Sequence, residues 1–296
     1  MLKDIVLRAT ALPLSSRQTL LGRILLTRRF MQPSRGESTM ATPTSNEVCK
    51  SLKAFHIAGR PLVLANVYDG ATAKVIAAMP SAKAIATASF AVAASAGVED
   101  EMLTLEANLH AVRIIARIAH EVGKPLTVDF QDGYGDRLEE GINSLIDFGV
   151  SGCNLEDYDR GSLVMYPINN ATSRIKRALE VAAKRGVRDF VINARVDILL
   201  HDGDMPEVLD RGKAYLDAGA TSVFVLGGKR GITLHEIQEM VMAFDGRLNI
   251  GMPLVSGDLN VRTLAEIGVA RISVGPQLHS VAMRGFKERA EMLLKL

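Results

Sequence analysis

Cysteine is scarce in this chain: Cys49 and Cys153 are the only two in 296 residues. Two cysteines can build neither a disulfide framework nor a zinc cluster, and they suit a reducing compartment. A charge excess of one sign is also missing. Thirty-five basic residues face 33 acidic ones, which gives neither a nucleic-acid footprint nor an adsorbing membrane surface. No stretch reaches the roughly 18 apolar residues that span a bilayer. The uncharged run from Ala84 to Val98, rich in Ala and Ser, reads as a buried strand followed by a small-residue turn. With only ten prolines, 48% hydrophobic and 23% charged residues, the chain is neither collagenous nor disordered overall and can bury a core. The six histidines are scattered, and His235-Glu236 lacks the second histidine of a zinc-protease helix. Gly227-Gly228-Lys229-Arg230-Gly231 lacks the spacing of a nucleotide-binding loop and reads as a turn.

The basic charge that is present sits at one end. Residues 1–39 carry seven basic side chains against Asp4 and Glu37. Together with the cluster Leu20, Leu21, Ile24, Leu25 and Leu26, this has the composition of a mitochondrial transit peptide. The alternative is a disordered upstream extension, with Met40 as a second start. Either way the chain divides into a basic leader over 1–45 and a folded domain over 46–296. The first reading places the protein in the mitochondrial matrix and the second in the cytoplasm.

From Pro61 onward short β-branched runs alternate with longer amphipathic ones, the pattern of parallel strands joined by helical crossovers. Eight strands are expected, at Leu62-Asn66, Ala84-Ser89, Pro125-Phe130, Gly152-Glu156, Asp189-Arg195, Ser222-Leu226, Leu248-Gly251 and Ala270-Val274. Glycines stand where the intervening helices should stop, and the helix-glycine-strand junction at Gly219 is repeated at Gly268. Eight such units predict an α/β (β/α)8 TIM barrel, with a doubly wound open sheet as the alternative. A helix over Asn46-Ala58 would cover the barrel floor.

Chemistry in such a barrel gathers at the carboxyl ends of the strands. Period-two alternation puts Asp129 with Gln131, Asn154 with Glu156, and Asn193 with Arg195 and Asp197 on common faces there. Asn66 and Ser89 end the first two strands nearby. Asp129 and Glu156, assisted by amides, are the oxygen donors that suit Mg²⁺ or Mn²⁺. Arg195 would pair a substrate carboxylate or a developing oxyanion. A salt-bridge network of Arg195 with Glu156 or Asp129, closing the barrel end without a ligand, is the competing reading.

The order Asn66-Val67-Tyr68-Asp69, Thr87-Ala88-Ser89, Gly97-Val98-Glu99-Asp100, Asp129-Phe130-Gln131-Asp132-Gly133-Tyr134-Gly135, Asn154-Leu155-Glu156-Asp157 and Asn193-Ala194-Arg195-Val196-Asp197 resembles the isocitrate lyase/phosphoenolpyruvate mutase superfamily. The resemblance covers about residues 52–280. It implies a Mg²⁺-dependent (β/α)8 barrel, tetrameric with a C-terminal helix swapped between subunits, acting on C–C or P–C bonds of small 2-oxo or 2-hydroxy carboxylates. It further implies Asp129 as the direct metal ligand, with Asp100, Gln131 and Glu156 reaching the metal through waters. Ser89, Asn66, Asp69, Asn193 and Arg195 would surround the substrate, and the Ser89 backbone would receive its carboxylate. Tyr68 or a metal-bound water would supply a proton, or Asp100 would act on a bound water.

Two departures bear on this. The family commonly has an acid where Gln131 stands. At an effective dielectric near 20, one charge about 4 Å from another is worth about 4 kcal/mol, but a ligand acting through water loses much less. The lyases also carry a Lys-Lys/Arg-Cys-Gly-His loop after strand four. Here that loop is Asp159-Arg160-Gly161-Ser162-Leu163-Val164-Met165-Tyr166-Pro167, which argues against isocitrate and methylisocitrate lyase activity. For the branch of the family without that loop, the resemblance implies an enzyme cleaving a small 2-oxo acid such as oxaloacetate or phosphonopyruvate through an enolate. The alternatives are a phosphonomutase, a phosphate-dependent barrel enzyme, and a non-catalytic scaffold with a decayed metal site.

Overall fold

In the computed structural model, which describes residues 44–295 apart from 255, 256 and 258, the aliphatic runs become short parallel strands. They are β1 (Leu62–Leu64), β2 (Asn66–Val67), β3 (Ile85–Thr87), β4 (Leu126–Asp129) and β5 (Gly152–Glu156), then a two-stranded hairpin of β6 (Tyr158–Asp159) and β7 (Val164–Met165). The series continues with β8 (Val191–Val196), β9 (Ser222–Val225), β10 (Leu248–Gly251) and β11 (Arg271–Ser273). The sheet order is β1-β11-β10-β9-β8-β5-β4-β3-β2. Only Ala65 separates β1 from β2, so these two form one line of chain whose first half pairs with β11 and second half with β3. The sheet therefore closes on itself as an eight-staved barrel, and the open-sheet alternative is set aside. The basic leader lies, as far as residue 43, outside the described residues.

The helices follow the expected crossovers: α1 (Asn46–Ala54), α2 (Gly70–Ala77), α3 (Ser89–Ser95), α4 (Leu105–Glu121), α5 (Leu138–Asp147), α6 (Ile168–Lys184), α7 (Met205–Asp217), α8 (Leu234–Ala243), α9 (Val261–Ile267) and α10 (Gln277–Leu294). Their starts are chemically marked. Thr104, Asp204 and Thr233 each accept a backbone N–H of the first turn, and such caps contribute about 1 kcal/mol each. At the two repeated junctions Gly219 and Gly268 take φ of 106° and 110°, a region where a Cβ is strained. No helix among the described residues is long and apolar enough to cross a membrane.

Three local expectations change. The helix over 46–58 stops at Ala54, because Phe55 and His56 bond to Leu52 and Lys53 in a tight final turn and Gly59 then reverses the chain at φ 76°. The second strand stops at Thr87, and the small-residue run after it is a helix, α3, rather than a turn. The loop after β5 folds as the β6–β7 hairpin, whose turn is held by Asp159 through the Gly161 N–H at 2.9 Å and the Ser162 hydroxyl at 2.7 Å. The core outside the barrel is the sandwich of strand faces and helices, while Leu52 of α1 joins Leu62, Leu64, Ala84, Ala86 and Val191 in a separate apolar cluster.

Candidate active site

Strand register puts the polar residues in two levels. Asp129, Asn154, Asn193 and Ser222 are neighbours across β4, β5, β8 and β9, and Glu156 lies beside Arg195 nearer the carboxyl ends. The lower level is one continuous hydrogen-bond chain. The Ser222 hydroxyl donates to Asn193 Oδ1 at 2.6 Å, the Asn193 amide to Asn154 Oδ1 at 2.8 Å, and the Asn154 amide to Asp129 Oδ1 at 3.2 Å. On the other oxygen of Asp129 the Ser89 backbone N–H donates at 3.0 Å. Asp129 is thereby held from two sides at the rim.

The upper level is a chain of alternating charge. Asp197 grips Arg195 through two oxygens, at 2.7 Å to Nε and 2.8 Å to Nη2. Arg195 Nη1 lies 2.6 Å from Glu156 Oε1. Arg160 reaches Glu156 Oε2 at 3.4 Å and Asp100 Oδ2 at 2.8 Å. Gln131 Nε2 also donates to Asp100, at 2.9 Å to its carbonyl and 3.1 Å to Oδ1. Burial pushes the Glu156 carboxyl well above the usual carboxylate range, against the pull of Arg195. Burial opposes the charge on Arg195 as well, yet Asp197 and Glu156 hold its guanidinium above its ordinary value. The contact to Glu156 Oε1 is close but misaligned, so that buried oxygen has no hydrogen-bond donor.

Several residues stand elsewhere than the strand pattern indicated. Gln131 does not continue the alternation: β4 ends at Asp129, and Gln131 takes φ 51°, which turns its amide onto Asp100. Asp100 lies on a single 3₁₀ turn with both oxygens already accepting, so it is not a free base for a water. Ser89 opens α3 and gives its N–H to Asp129 rather than keeping it for a substrate carboxylate. Asn66 ties the barrel seam together, donating to the Thr87 carbonyl at 2.7 Å and accepting from the Val274 and Gly275 N–H groups at 3.1 and 3.0 Å. Asn193 is fully buried inside the barrel. Asp69 caps α2, accepting from the Thr72 N–H at 2.7 Å within a capping box. Tyr68 follows directly on β2, its ring edge-on to His279 of α10 at 4.8 Å, and its hydroxyl makes no hydrogen bond among the described residues.

Sequence reasoning missed two contributors. Arg160 sits on the hairpin, where no strand period announces it. Asp157, next to Glu156, accepts from the Asp197 N–H at 2.8 Å, from Tyr215 at 2.7 Å and from Arg211 at 3.3 Å, and so locks the ends of β5 and β8 together beneath Arg195. Asp132, adjacent to Gln131, faces away from the mouth and accepts from Tyr134 N–H and Tyr166 hydroxyl.

Among the described residues no group of three or more His, Cys, Asp or Glu side chains is arranged to hold a metal ion, so a hard cation would rest on Asp129, with water and ligand oxygens for the remainder. Each carboxylate oxygen offers about two acceptor positions, and Asp129 uses one on each. Glu156 Oε1 is buried and already lies 2.6 Å from Arg195 Nη1, so it is not a vacant ligand. Mg²⁺ is commonly held by one or two carboxylates, with water and ligand oxygens completing its shell. Asp129 could hold such an ion directly. The acids expected to reach it through water are differently placed, since Asp100 is occupied by Arg160 and Gln131.

Comparison with known proteins agrees with the fold. The family of phosphoenolpyruvate phosphomutases matches residues 52–294. A protein of Mycobacterium tuberculosis (strain ATCC 25618 / H37Rv) with no assigned activity is 30% identical over 240 residues, covering 79% of this chain and 84% of its own. The solved structure of a candidate phosphonomutase from Burkholderia cenocepacia J2315 superposes with a TM-score of 0.75 at 33% identity, over 83% of this chain and 98% of that one. A phosphonopyruvate hydrolase, solved with oxalate and Mg²⁺, shares the fold with a TM-score of 0.72 at 24% identity, over 84% and 87% of the two chains. With its closed barrel and its match to the family over most of its length, this chain belongs to the phosphoenolpyruvate mutase/isocitrate lyase superfamily, whose members are lyases, mutases and hydrolases.

Proposed function

We propose that the protein is a Mg²⁺- or Mn²⁺-dependent lyase or hydrolase that breaks the C–C or P–C bond of a small 2-oxo carboxylate such as oxaloacetate or phosphonopyruvate. The observation that carries this reading is the carboxylate of Asp129, fixed at the rim by Ser89 and Asn154 with acceptor capacity to spare, beside an arginine fixed by Asp197. The relative solved with oxalate and Mg²⁺ supports it, oxalate having the shape of a pyruvate enolate. When bound, the cation would polarise the substrate's oxygens as a Lewis acid.

The chain's own residues do the rest. Arg195 has five N–H donors; Asp197 takes two and one lies against Glu156, which leaves two for the substrate. As the bond breaks, its electron pair passes onto the former keto oxygen as an enolate while the other fragment leaves, as carbon dioxide from oxaloacetate or by transfer of the phosphoryl group to water from phosphonopyruvate; a guanidinium already locked in place stabilises that charge more than the ground state. Asp157, Arg211 and Tyr215 keep the β5 and β8 ends from moving during this charge shift. Tyr68 is the candidate proton donor to the carbon left behind, its hydroxyl being uncommitted among the described residues. The protein acts as a homotetramer exchanging α10, a helix that buries none of its residues within its own subunit.

Calorimetric titration of Mg²⁺ and Mn²⁺ into the full chain, with and without oxalate, tests the reading. Oxalate binding should require the cation and disappear in Asp129→Ala while the fold persists. If neither ion nor oxalate binds at millimolar concentrations, the metal mechanism is wrong and the closed Asp100–Arg160–Glu156–Arg195–Asp197 network is a scaffold.

A further inference from the structure

Inside the barrel, beneath Asp129, lies a charge that the mechanism above does not use. Arg271 opens β11, in register with Leu62 of β1 and Asn249 of β10, and is 1% exposed. Its guanidinium makes one hydrogen bond, from Nη2 to Asn154 Oδ1 at 3.3 Å. Nε and Nη1 are buried without a partner, and among the described residues no carboxylate comes within ion-pair distance of it. Barrels usually fill this level with branched apolar side chains, which bury no charge. A cation left so poorly bonded needs an anion nearby to offset its burial.

That anion is Asp129, and Asn154 connects the two. The Asn154 carbonyl oxygen accepts from Arg271 and its amide donates to Asp129 Oδ1 at 3.2 Å. The amide dipole therefore runs from the guanidinium to the carboxylate, with each end on the group of opposite sign. From below, Arg271 presents a positive potential to whatever Asp129 binds. A divalent cation feels it as repulsion with twice the force of a single charge, and an anionic substrate feels it as attraction.

We infer that Arg271 is a positioning residue which, through Asn154, weakens the hold of Asp129 on a divalent cation alone and strengthens the hold of the loaded mouth on an anionic substrate, so that cation and anion enter together. The inference rests on the proposed function. Effective dielectrics between those of protein and water make one charge over several ångströms worth roughly a tenfold change in binding.

The test measures, on the full chain, Mn²⁺ binding alone by the loss of the free-ion paramagnetic resonance signal, and oxalate binding at saturating Mn²⁺ by calorimetry. Arg271→Met should bind Mn²⁺ about tenfold more tightly and oxalate about tenfold more weakly. Arg271→Lys, which keeps the charge, should leave both near the wild type. Should Arg271→Met not fold, Arg271→Gln carries the same expectation, since it is neutral but can still donate to Asn154. A merely structural arginine moves both affinities in the same direction or moves neither, and either result overturns the inference while leaving the proposed function intact. A wild-type protein that binds Mn²⁺ neither alone nor with oxalate overturns the proposed function, and this inference with it.

Discussion

Asp129 and Gln131 show how far a single residue's role is written in its position along a strand. Asp129, Glu156 and Arg195 were legible because each stands at or just inside a strand's carboxyl end, where the two-residue period is still in force. Two residues further the period fails: Gln131 is in a left-handed turn, and its amide meets Asp100. Asn66 and Asn193 bond within the barrel, and in sequence an amide that knits a barrel together looks the same as one that holds a substrate. Arg160 was invisible for the opposite reason, since it lies in a hairpin loop without a period. The contact between Gln131 and Asp100 gives a prediction. Gln131→Asp replaces a donor to Asp100 with a second carboxylate, restoring the acid common in the family. Affinity for Mn²⁺ should rise about tenfold from the added charge, while stability in urea falls by about 1–3 kcal/mol as Asp100 loses one of its two donors, keeping Arg160, and gains a like-charged neighbour. An unchanged Mn²⁺ affinity in this variant would mean that position 131 does not face the cation.

At the scale of elements, strands and long amphipathic helices were legible because their patterns extend over several turns or pleats. α3 was not, since seven residues drawn mostly from Ala and Ser carry no contrast between an inner and an outer face. The hairpin was missed because its two-residue strands are fixed by the Asp159 turn rather than by alternation. The floor helix α1 was legible in existence, but the turn that follows it hides a titratable group. His56 Nδ1 lies 2.9 Å from the Leu52 carbonyl, which makes Nδ1 the protonated nitrogen, and Nε2 is buried with no partner. Burial, reinforced by the charge of Arg271, pushes its pKa down from 6.5 to about 3. The folded state thus refuses a proton that the unfolded chain accepts. Above about pH 6.5 both states are neutral there and the full stability is present. As the pH falls from there toward about 3, His56 should remove up to about 1.4 kcal/mol of stability per pH unit. Urea unfolding at pH 7, 5.5 and 4.5 should therefore show a shallower acid loss in His56→Asn, whose amide can still reach Leu52; identical pH slopes in the two proteins would show that His56 titrates normally.

For the whole molecule the closing of the barrel is what brings charges from β4, β5, β8 and the hairpin into one mouth, and it also leaves one element unaccounted for. The first turn of α10 is pinned to that mouth: Gln277 donates to the carbonyls of Met252 and Val274 at 2.8 and 3.0 Å and accepts from the Leu254 N–H at 2.7 Å, while His279 packs on Tyr68. Beyond it the helix runs on to Leu294 with no buried residue, and Phe286, Leu293 and Leu294 are 71, 70 and 84% exposed. Burying such a side chain is worth about 1.5–3 kcal/mol, so three of them together offset a substantial part of the roughly 4–15 kcal/mol of freedom lost on association. The proposed occupant is a second copy of this chain, as the homotetramer put forward above requires. Sedimentation at micromolar concentration should find the wild type oligomeric and a Phe286→Glu, Leu293→Glu double variant monomeric, with the barrel's circular dichroism unchanged. Because α10 begins against Tyr68, the monomer should also turn over substrate more slowly with little change in oxalate affinity, Asp129 and Arg195 being held within one chain. A wild type that sediments as a monomer would mean that α10 serves some purpose other than joining copies of this chain.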